Sequence, residues 1–460
     1  MTPDTLVAGI DSSTQSTKVL LVRASDGMVV DQASAPHPPG TEVDPSAWWE
    51  ALQQAGTGLL DRAAAIGVAG QQHGMVALDA AGMVVRPALL WNDLRSATEA
   101  AEVVEHLGGP EACARTIGSV PTASLTVTKL RWMGRHEPDN AARTAAVLLP
   151  HDYLTWLLGG RQQMATDHGD ASGTGYYSPA ERVWLPEMAA WALGRETAPA
   201  LPLLAGPGQS VGQAPTGALL SAGTGDNMAA ALGLAIGPGD VVVSIGTSGT
   251  AFAVSAAPTA DPTGMVCGFA DATGNFLPLS CTINAARILG TVAELLGVDH
   301  DQLADLALSA EPGANGLTLL PYLDGERTPN RPNATGVLRG LTSATGRADL
   351  ARAAVEALLC SLADAVDALG IAAHRVLMIG GGARNRAVRE LAPAIWNVPV
   401  DVPEPAEYVA LGAARQAAWA LAGTEQPPAW TPPAAERFTA AHTPQVRERY
   451  AALRDVTADW

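Results

Sequence analysis

The chain has 460 residues, 47% apolar and 16% charged, and carries a formal net charge of −18. That length exceeds one ordinary core and favours two domains, and that composition excludes a disordered or fibrous protein. The acidic excess opposes nucleic acid and an anionic membrane as partners, because both are repelled at long range, and favours a small neutral ligand.

In chain order, "TLVAGI", "KVLLVR" and "GMVVDQ" read as three consecutive short strands rich in Val, Leu and Ile. "DPSAWWEALQQAGTGLLDR" follows as a helix, with Asp44 as N-cap and Pro45 at the first helical position. "IGVAGQQHGMVALD" and "ALLWND" supply further strands, the first apolar enough to be buried on both faces. Near residue 239 the pattern restarts: "GDVVVSIGTSGTAFAVS" is strand, short hydroxyl-and-glycine turn, strand, then "NFLPLS" and a helix from about Asn284. Next come "LTLLPYL", a long amphipathic helix over about 346 to 370, the buried strand "RVLMIG", a helix from about 384, and the helix "EYVALGAARQAAWALAG", stopped by Gly423 and Pro427.

This repeat predicts an internal duplication and an α/β fold of two sheet-and-helix domains with a ligand cleft between them. The boundary is expected near residue 238, in "AIGPGD". Residues 1–238 form the first domain, 239–425 the second, and 426–460 a Pro-rich linker with a terminal helix. That helix could pack on its own domain or on a second copy, which leaves a homodimer open.

The four cysteines show no C-x-x-C pair and the nine histidines no H-x-x-x-H spacing, so neither zinc nor disulfides are expected. The start of the chain has no basic-then-apolar leader pattern, and no apolar run reaches the ~18 residues of a membrane span, so the cytoplasm is the expected location.

The two hairpin turns, "DSSTQSTK" and "SIGTSGT", are small and rich in hydroxyls, so successive N–H groups can point at one anion. Ordinary turn chemistry accounts for either turn alone, but two matched copies favour phosphate. Lys18 and Lys129 are the only lysines, and neither sits in a Walker A loop. Anionic charge must therefore fall to arginine, backbone donors, hydroxyls or a metal. Asp11 closes its strand in the first turn and makes sense beside phosphate only with a divalent cation between, its alternative being a turn cap. Asp226, in "SAGTGDNMAAALG", stands at the mouth of an apolar helix, where it either caps the helix or takes a proton from an attacking hydroxyl. "IGGGARNRAV" joins a strand to a helix through three glycines and lets a flat ring approach the backbone, with Arg384 and Asn385 near a base or ribose. "GQQHGM", with Gln72, His73 and Gly74, ends a buried strand in polar groups that a polyhydroxyl ligand would satisfy, although a lone histidine there is often structural.

In this order the pieces resemble the FGGY family of carbohydrate kinases over nearly all of the chain. "SLTVTKLRWMGRH" and "GVLRGLTSATGRADLARAAVE" look like that family's own signatures. "AGQQHGMVALD", "LLWNDLRS", "LLPHDYLTWLLGG", "TDHGDASGTGYY" and "GTGDNMAAALG" resemble its members that act on D-xylulose. The resemblance implies an actin-like pair of duplicated ribonuclease H-like domains, and ATP- and Mg²⁺-dependent phosphorylation of D-xylulose on its 5-hydroxyl. It further implies Asp226 as catalytic base and Asp11 as the metal-associated aspartate. Gln72, His73, Gly74, Asp226 and Asn227 fall at the sugar. Thr14, Gly246, Thr247 and Ser248 fall at the phosphates, and Gly381, Gly382 and Asn385 at the adenosine. Arg327, in "DGERTP", is expected to add positive charge near the phosphates. The first turn departs from the family by lacking a glycine, which restricts backbone approach at Thr14. Gln72 stands where some members carry methionine, which bears on sugar preference. A sister kinase for gluconate, ribulose, fuculose or a polyol, or a non-catalytic sugar-sensing actin-like module, are the alternatives.

Overall fold

The computed structural model describes residues 4–460, which form two compact units. The first takes the chain up to Ala235 together with Ser255–Leu277 and Glu407–Pro432. The second takes Ile236–Val254, Pro278–Ala406 and Pro433–Trp460.

The first unit opens with β1 (Leu6–Ser12), β2 (Ser16–Arg23) and β3 (Val29–Pro36), followed by helix α1 (Pro45–Gly56) and strand β4 (Ala65–Gly70). Asp44 caps α1 by accepting from Ser46 N at 2.9 Å, and Pro45 takes the first helical position, where no amide hydrogen is needed. Helices α2 (Thr126–His136) and α3 (Pro150–Leu158) come next, then the hairpin β5 (Ser210–Gln213) and β6 (Leu219–Ser221), and helix α4 (Asp226–Gly233). The second unit contributes β7 (Asp240–Ile245), β8 (Gly249–Ala253), β9 (Phe276–Thr282), the 22-residue helix α5 (Arg347–Ala368), β10 (Arg375–Ile379), α6 (Arg386–Trp396) and β11 (Val400–Pro403). Helix α7 (Tyr408–Ala422) belongs to the first unit, and β12 (Ala435–Phe438) and α8 (Pro444–Val456) belong to the second.

Strand order reveals the duplication. In the first unit the path is β3-β2-β1-β4-β6-β5, with the first three antiparallel, β1, β4 and β6 parallel, and β5 an antiparallel edge. In the second it is β9-β8-β7-β10-β11-β12 with the same senses at each step. Each unit is thus a ribonuclease H-like sheet, and each begins with a hairpin whose turn leaves the end of its central strand. Sequence alone did not indicate β12. Residues 426–438 are no free linker: Trp430 is buried with its Nε1–H on the Ala24 carbonyl at 3.0 Å. Arg437 on β12 donates to both oxygens of Asp401 on β11, a cross-strand pair that fixes the edge.

The compact units also differ from contiguous segments ending at 238 and 425, because α7 packs on β1, β4, β6 and α4. Its alanine-rich face makes this approach possible. A methyl added at Gly9 would lie 1.9 Å from the Ala410 carbonyl oxygen, and one at Gly412 would lie 1.8 Å from that of Ala229. The core beneath β1 and β4 is built from Ile10, Val19, Leu21, Trp48, Leu52, Ile66 and Val68. In the second unit α8 docks through buried Val446, Tyr450 and Leu453, with Arg447–Asp367 at 2.6 Å and Arg454–Asp364 at 2.7 Å to α5. No helix of the described residues is long and apolar enough to cross a membrane.

Candidate active site

In the first unit the polar residues gather where β1 and β4 end. Asp11 pairs across the hairpin with Lys18 and across the parallel ladder with Ala69, which brings its carboxylate to the sheet's C-terminal edge. It is 3% exposed. Its Oδ2 lies 3.9 Å from Lys18 Nζ, which instead donates to Glu407 at 2.6 Å, and Oδ1 has no hydrogen-bond partner among the described residues. Burial pushes the Asp11 carboxyl up to about 7, against the pull of Lys18. An under-paired buried carboxylate oxygen of this kind suits a cation.

The turn after Asp11 is closed by Ser13 N donating to the Ser16 carbonyl at 3.1 Å. Thr14 Oγ1 donates to Gln71 Oε1 at 3.3 Å and accepts from the indole N–H of Trp91 at 3.0 Å, so its hydroxyl is already tied to two neighbours.

Beyond β4, Gln72 Oε1 accepts from Asn227 Nδ2 at 3.0 Å, while its Nε2 is buried without a partner among the described residues. His73 adopts φ +68° and engages the Gly173 carbonyl through Nδ1 at 2.8 Å, which places its proton on Nδ1. At Gly74 a methyl would meet Pro150 Cγ at 2.6 Å, so the missing side chain is what lets α3 approach there.

Asp226 is the first residue of α4 and is partly exposed, yet the protein around it strips most of its water. Its Oδ1 accepts from Asn227 N at 2.8 Å and from Asn227 Nδ2 at 2.9 Å. Burial, and after it the charge of Asp11, pushes this carboxyl up to about 7. The site therefore unites Gln72, Asn227 and Asp226 by hydrogen bonds, and couples Asp11 to Asp226 by charge. A carboxyl poised near neutrality is suited to accept a proton from an alcohol.

Sequence reasoning missed what lies beneath. His151 is fully buried, with Nδ1 2.7 Å from Asp170 Oδ2 and Nε2 3.1 Å from Asp152 Oδ1. Burial alone would lower its pKa, but Asp152 and Asp170 outweigh that and raise it to about 9. A methyl at Gly223 would lie 2.3 Å from the His151 ring, which puts the imidazole directly under the turn that delivers Asp226. Asp167 joins the same support: it caps the helix His168–Ala171 and accepts from Thr224 Oγ1 at 2.6 Å. The signal was present in "PHDYL", a His-Asp pair in an otherwise apolar run.

In the second unit Gly246, Thr247 and Ser248 form an exposed turn between β7 and β8, with Gly246 N donating to the Ser248 carbonyl at 3.0 Å. Gly382 packs on this strand, since a methyl there would sit 2.3 Å from Ile245 Cγ2, whereas Gly381 has open space beside it. Asn385 caps α6 by accepting from Val388 N at 3.2 Å. The glycine junction thus has one packing member and one open member next to the turn's strand. Among the described residues, no group of three or more His, Cys, Asp or Glu side chains could cage a metal ion.

The N-terminal domain model of the FGGY family of carbohydrate kinases matches residues 6–241, and its C-terminal domain model matches residues 241–421. The xylulose kinase of Streptomyces coelicolor is 47% identical over 440 residues, 91% of this chain and 89% of that one, and that of Streptomyces rubiginosus is 46% identical over the same shares. Among solved structures, the crystal structure of xylulose kinase from Bifidobacterium adolescentis superposes with a TM-score of 0.93 at 45% identity, covering 98% of this chain and 99% of that one. Two repeated sheets and family models that span both halves agree: the chain belongs to the FGGY family of carbohydrate kinases.

Proposed function

We propose that the chain transfers the γ-phosphoryl group of ATP to the 5-hydroxyl of D-xylulose. The observation that carries the choice of sugar is the near-full-length similarity, at 46–47% identity, to two xylulose kinases. In this reading Gln72, His73 and Asn227 hold the sugar's hydroxyls, and the unpaired Gln72 Nε2 gains an acceptor there. Asp226 accepts the proton as the sugar oxygen attacks the γ-phosphorus, and ADP leaves with the electrons of the broken P–O bond. The hydrogen bonds from Asn227 hold the Asp226 carboxylate in one orientation as that proton arrives.

Asp11 is the residue that fits Mg²⁺, through its unpartnered buried Oδ1. The lack of a protein cage among the described residues suits an ion held chiefly by nucleotide phosphates and water. When bound, such an ion would neutralise phosphate charge alongside arginine and backbone donors, in a chain with only two lysines. The exposed turn Gly246–Ser248 receives the phosphates, and the open side of Gly381 receives the adenosine. Thr14 is the weakest member of the set, because its hydroxyl must break from Gln71 or Trp91 to meet a phosphate.

The test is Mg²⁺-dependent ADP release across a panel of D-xylulose, gluconate, D-ribulose, L-fuculose and polyols. Preference for D-xylulose supports the proposal. Turnover confined to another sugar, or ATP hydrolysis without any sugar phosphate, overturns it.

A further inference from the structure

A buried acid in the loop "DGERTP" of the second unit has no part in the chemistry above. Glu326 is 1% exposed. A carboxylate close to a polyanion site opposes binding unless its charge is taken up by donors of its own, and here it is. Oε1 accepts from Ile283 N at 2.5 Å and from Arg327 N at 2.8 Å. Oε2 accepts from Asn284 N at 3.3 Å and from Asn284 Nδ2 at 3.0 Å, and that amide also donates to the Gly325 carbonyl at 2.8 Å.

The segment that Glu326 grips is the one that grips the turn. Ala285 N donates to the Thr247 carbonyl at 3.1 Å, and Ala286 N donates to the Gly246 carbonyl at 2.9 Å. Ala286 opens the helix Ala286–Leu296, which has no side-chain cap, so these turn carbonyls satisfy its first amides. In a trans peptide the N–H points opposite to the C=O of the same unit. Fixing the carbonyls of Gly246 and Thr247 toward the helix therefore aims the N–H groups of Thr247 and Ser248 away from it, on the face where residues 246–248 are exposed. Thr282 completes the brace: its Oγ1 donates to the Asn284 carbonyl at 3.0 Å and would lie 2.7 Å from a methyl at Gly249.

We infer that Glu326 is a positioning residue for nucleotide binding: through residues 283–286 it orients the Gly246–Ser248 peptides so that their N–H groups present a preformed cradle to the phosphates. The inference rests on reading that turn as the phosphate site. Glu326→Gln is the probe, because whichever end of the amide is NH₂ then confronts two buried N–H donors in place of an acceptor. KM for Mg-ATP should rise about tenfold or more, the scale of stranding buried donors, while KM for D-xylulose stays within about twofold because the sugar's contacts are untouched. Glu326→Asp, which keeps both oxygens but withdraws them, should shift the same constant in the same direction by less. Melting of each unliganded variant is read alongside.

Ser248→Glu, which sets a negative charge on the exposed turn where the phosphates are read to lie, is the control. If it leaves the Mg-ATP KM unchanged, the phosphate-turn reading falls and the inference with it. If it raises that KM while both Glu326 variants do not, the inference alone is overturned. A lower Tm with both KM values unchanged in E326Q, or equal loss of sugar and nucleotide saturation, also overturns it.

Discussion

Replacing Asp226 by Asn separates the residue's chemistry from its packing. Asn retains an Oδ1 able to accept from Asn227 N, so the first turn of α4 survives. It cannot take up the sugar's proton, and kcat should fall by about 10²–10⁴-fold, the usual contribution of a positioned base. Stability should move the other way. A carboxyl raised from 3.8 to about 7 by burial and by Asp11 withholds up to about 4 kcal/mol from the folded state once ionised, at about 1.36 kcal/mol per pH unit. Relaxation and nearby water reduce this to about 1–2 kcal/mol for a group that is not wholly enclosed. The sign follows from the raised folded-state value: stability is fully present below 3.8 and is lost as pH rises through about 7. The Asn variant should therefore melt several degrees higher than the wild type at about pH 8 and at nearly the same temperature at about pH 4. Calorimetry on the unliganded, metal-free protein and coupled ADP release give the two readouts. Turnover within about tenfold of wild type, or no extra stability on the alkaline side, would refute the reasoning.

The buried His151 gives a second pH signature. With its folded-state value raised to about 9, its contribution is fully present below the unfolded 6.5 and disappears as pH rises through about 9, so the Tm of the unliganded protein should fall over that range. His151→Asn should cost about 3–5 kcal/mol by leaving Asp152 and Asp170 buried without their cation, and chemical denaturation measures it. Gly412→Ala should destabilise the first unit by about 1–3 kcal/mol or more through overpacking, since the added methyl lands 1.8 Å from the Ala229 carbonyl oxygen and pries α7 from α4. Its readout is the Tm together with kcat, because α4 carries Asp226. Tyr450→Ala should lower stability by about 3–5 kcal/mol to the same extent at dilute and concentrated protein, because α8 docks on its own unit through Tyr450. A destabilisation that varied with protein concentration would instead place that helix in an interface between copies.

The local grammar of the chain was readable. Asp44–Pro45 announced α1, Gly423 announced the end of α7 with φ +60°, and the three-strand openings at residues 6 and 240 announced two like sheets. The position of Asp226 at the mouth of an alanine-rich helix was legible, and the structure makes it the first residue of α4. What escaped were features set by long-range packing. The return of α7 to the first unit depends on Gly9 meeting Ala410 and Gly412 meeting Ala229, contacts far apart in sequence. Strand β12 follows a Pro-rich stretch and is held by the Arg437–Asp401 pair, which no local pattern reveals. His151, Asp170 and Glu326 read as ordinary polar residues until the fold buries them together with their partners. Gly74, expected at the sugar from its neighbours, also leaves room for Pro150, a close approach that only the fold reveals.

The most direct test is a crystal structure with D-xylulose bound and no nucleotide. The account predicts the sugar against Gln72, His73 and Asn227, with its 5-hydroxyl within about 2.6–3.2 Å of the Asp226 carboxylate. A sugar seated elsewhere, or one presenting a different hydroxyl while Asp226 faces only Asn227, would contradict it.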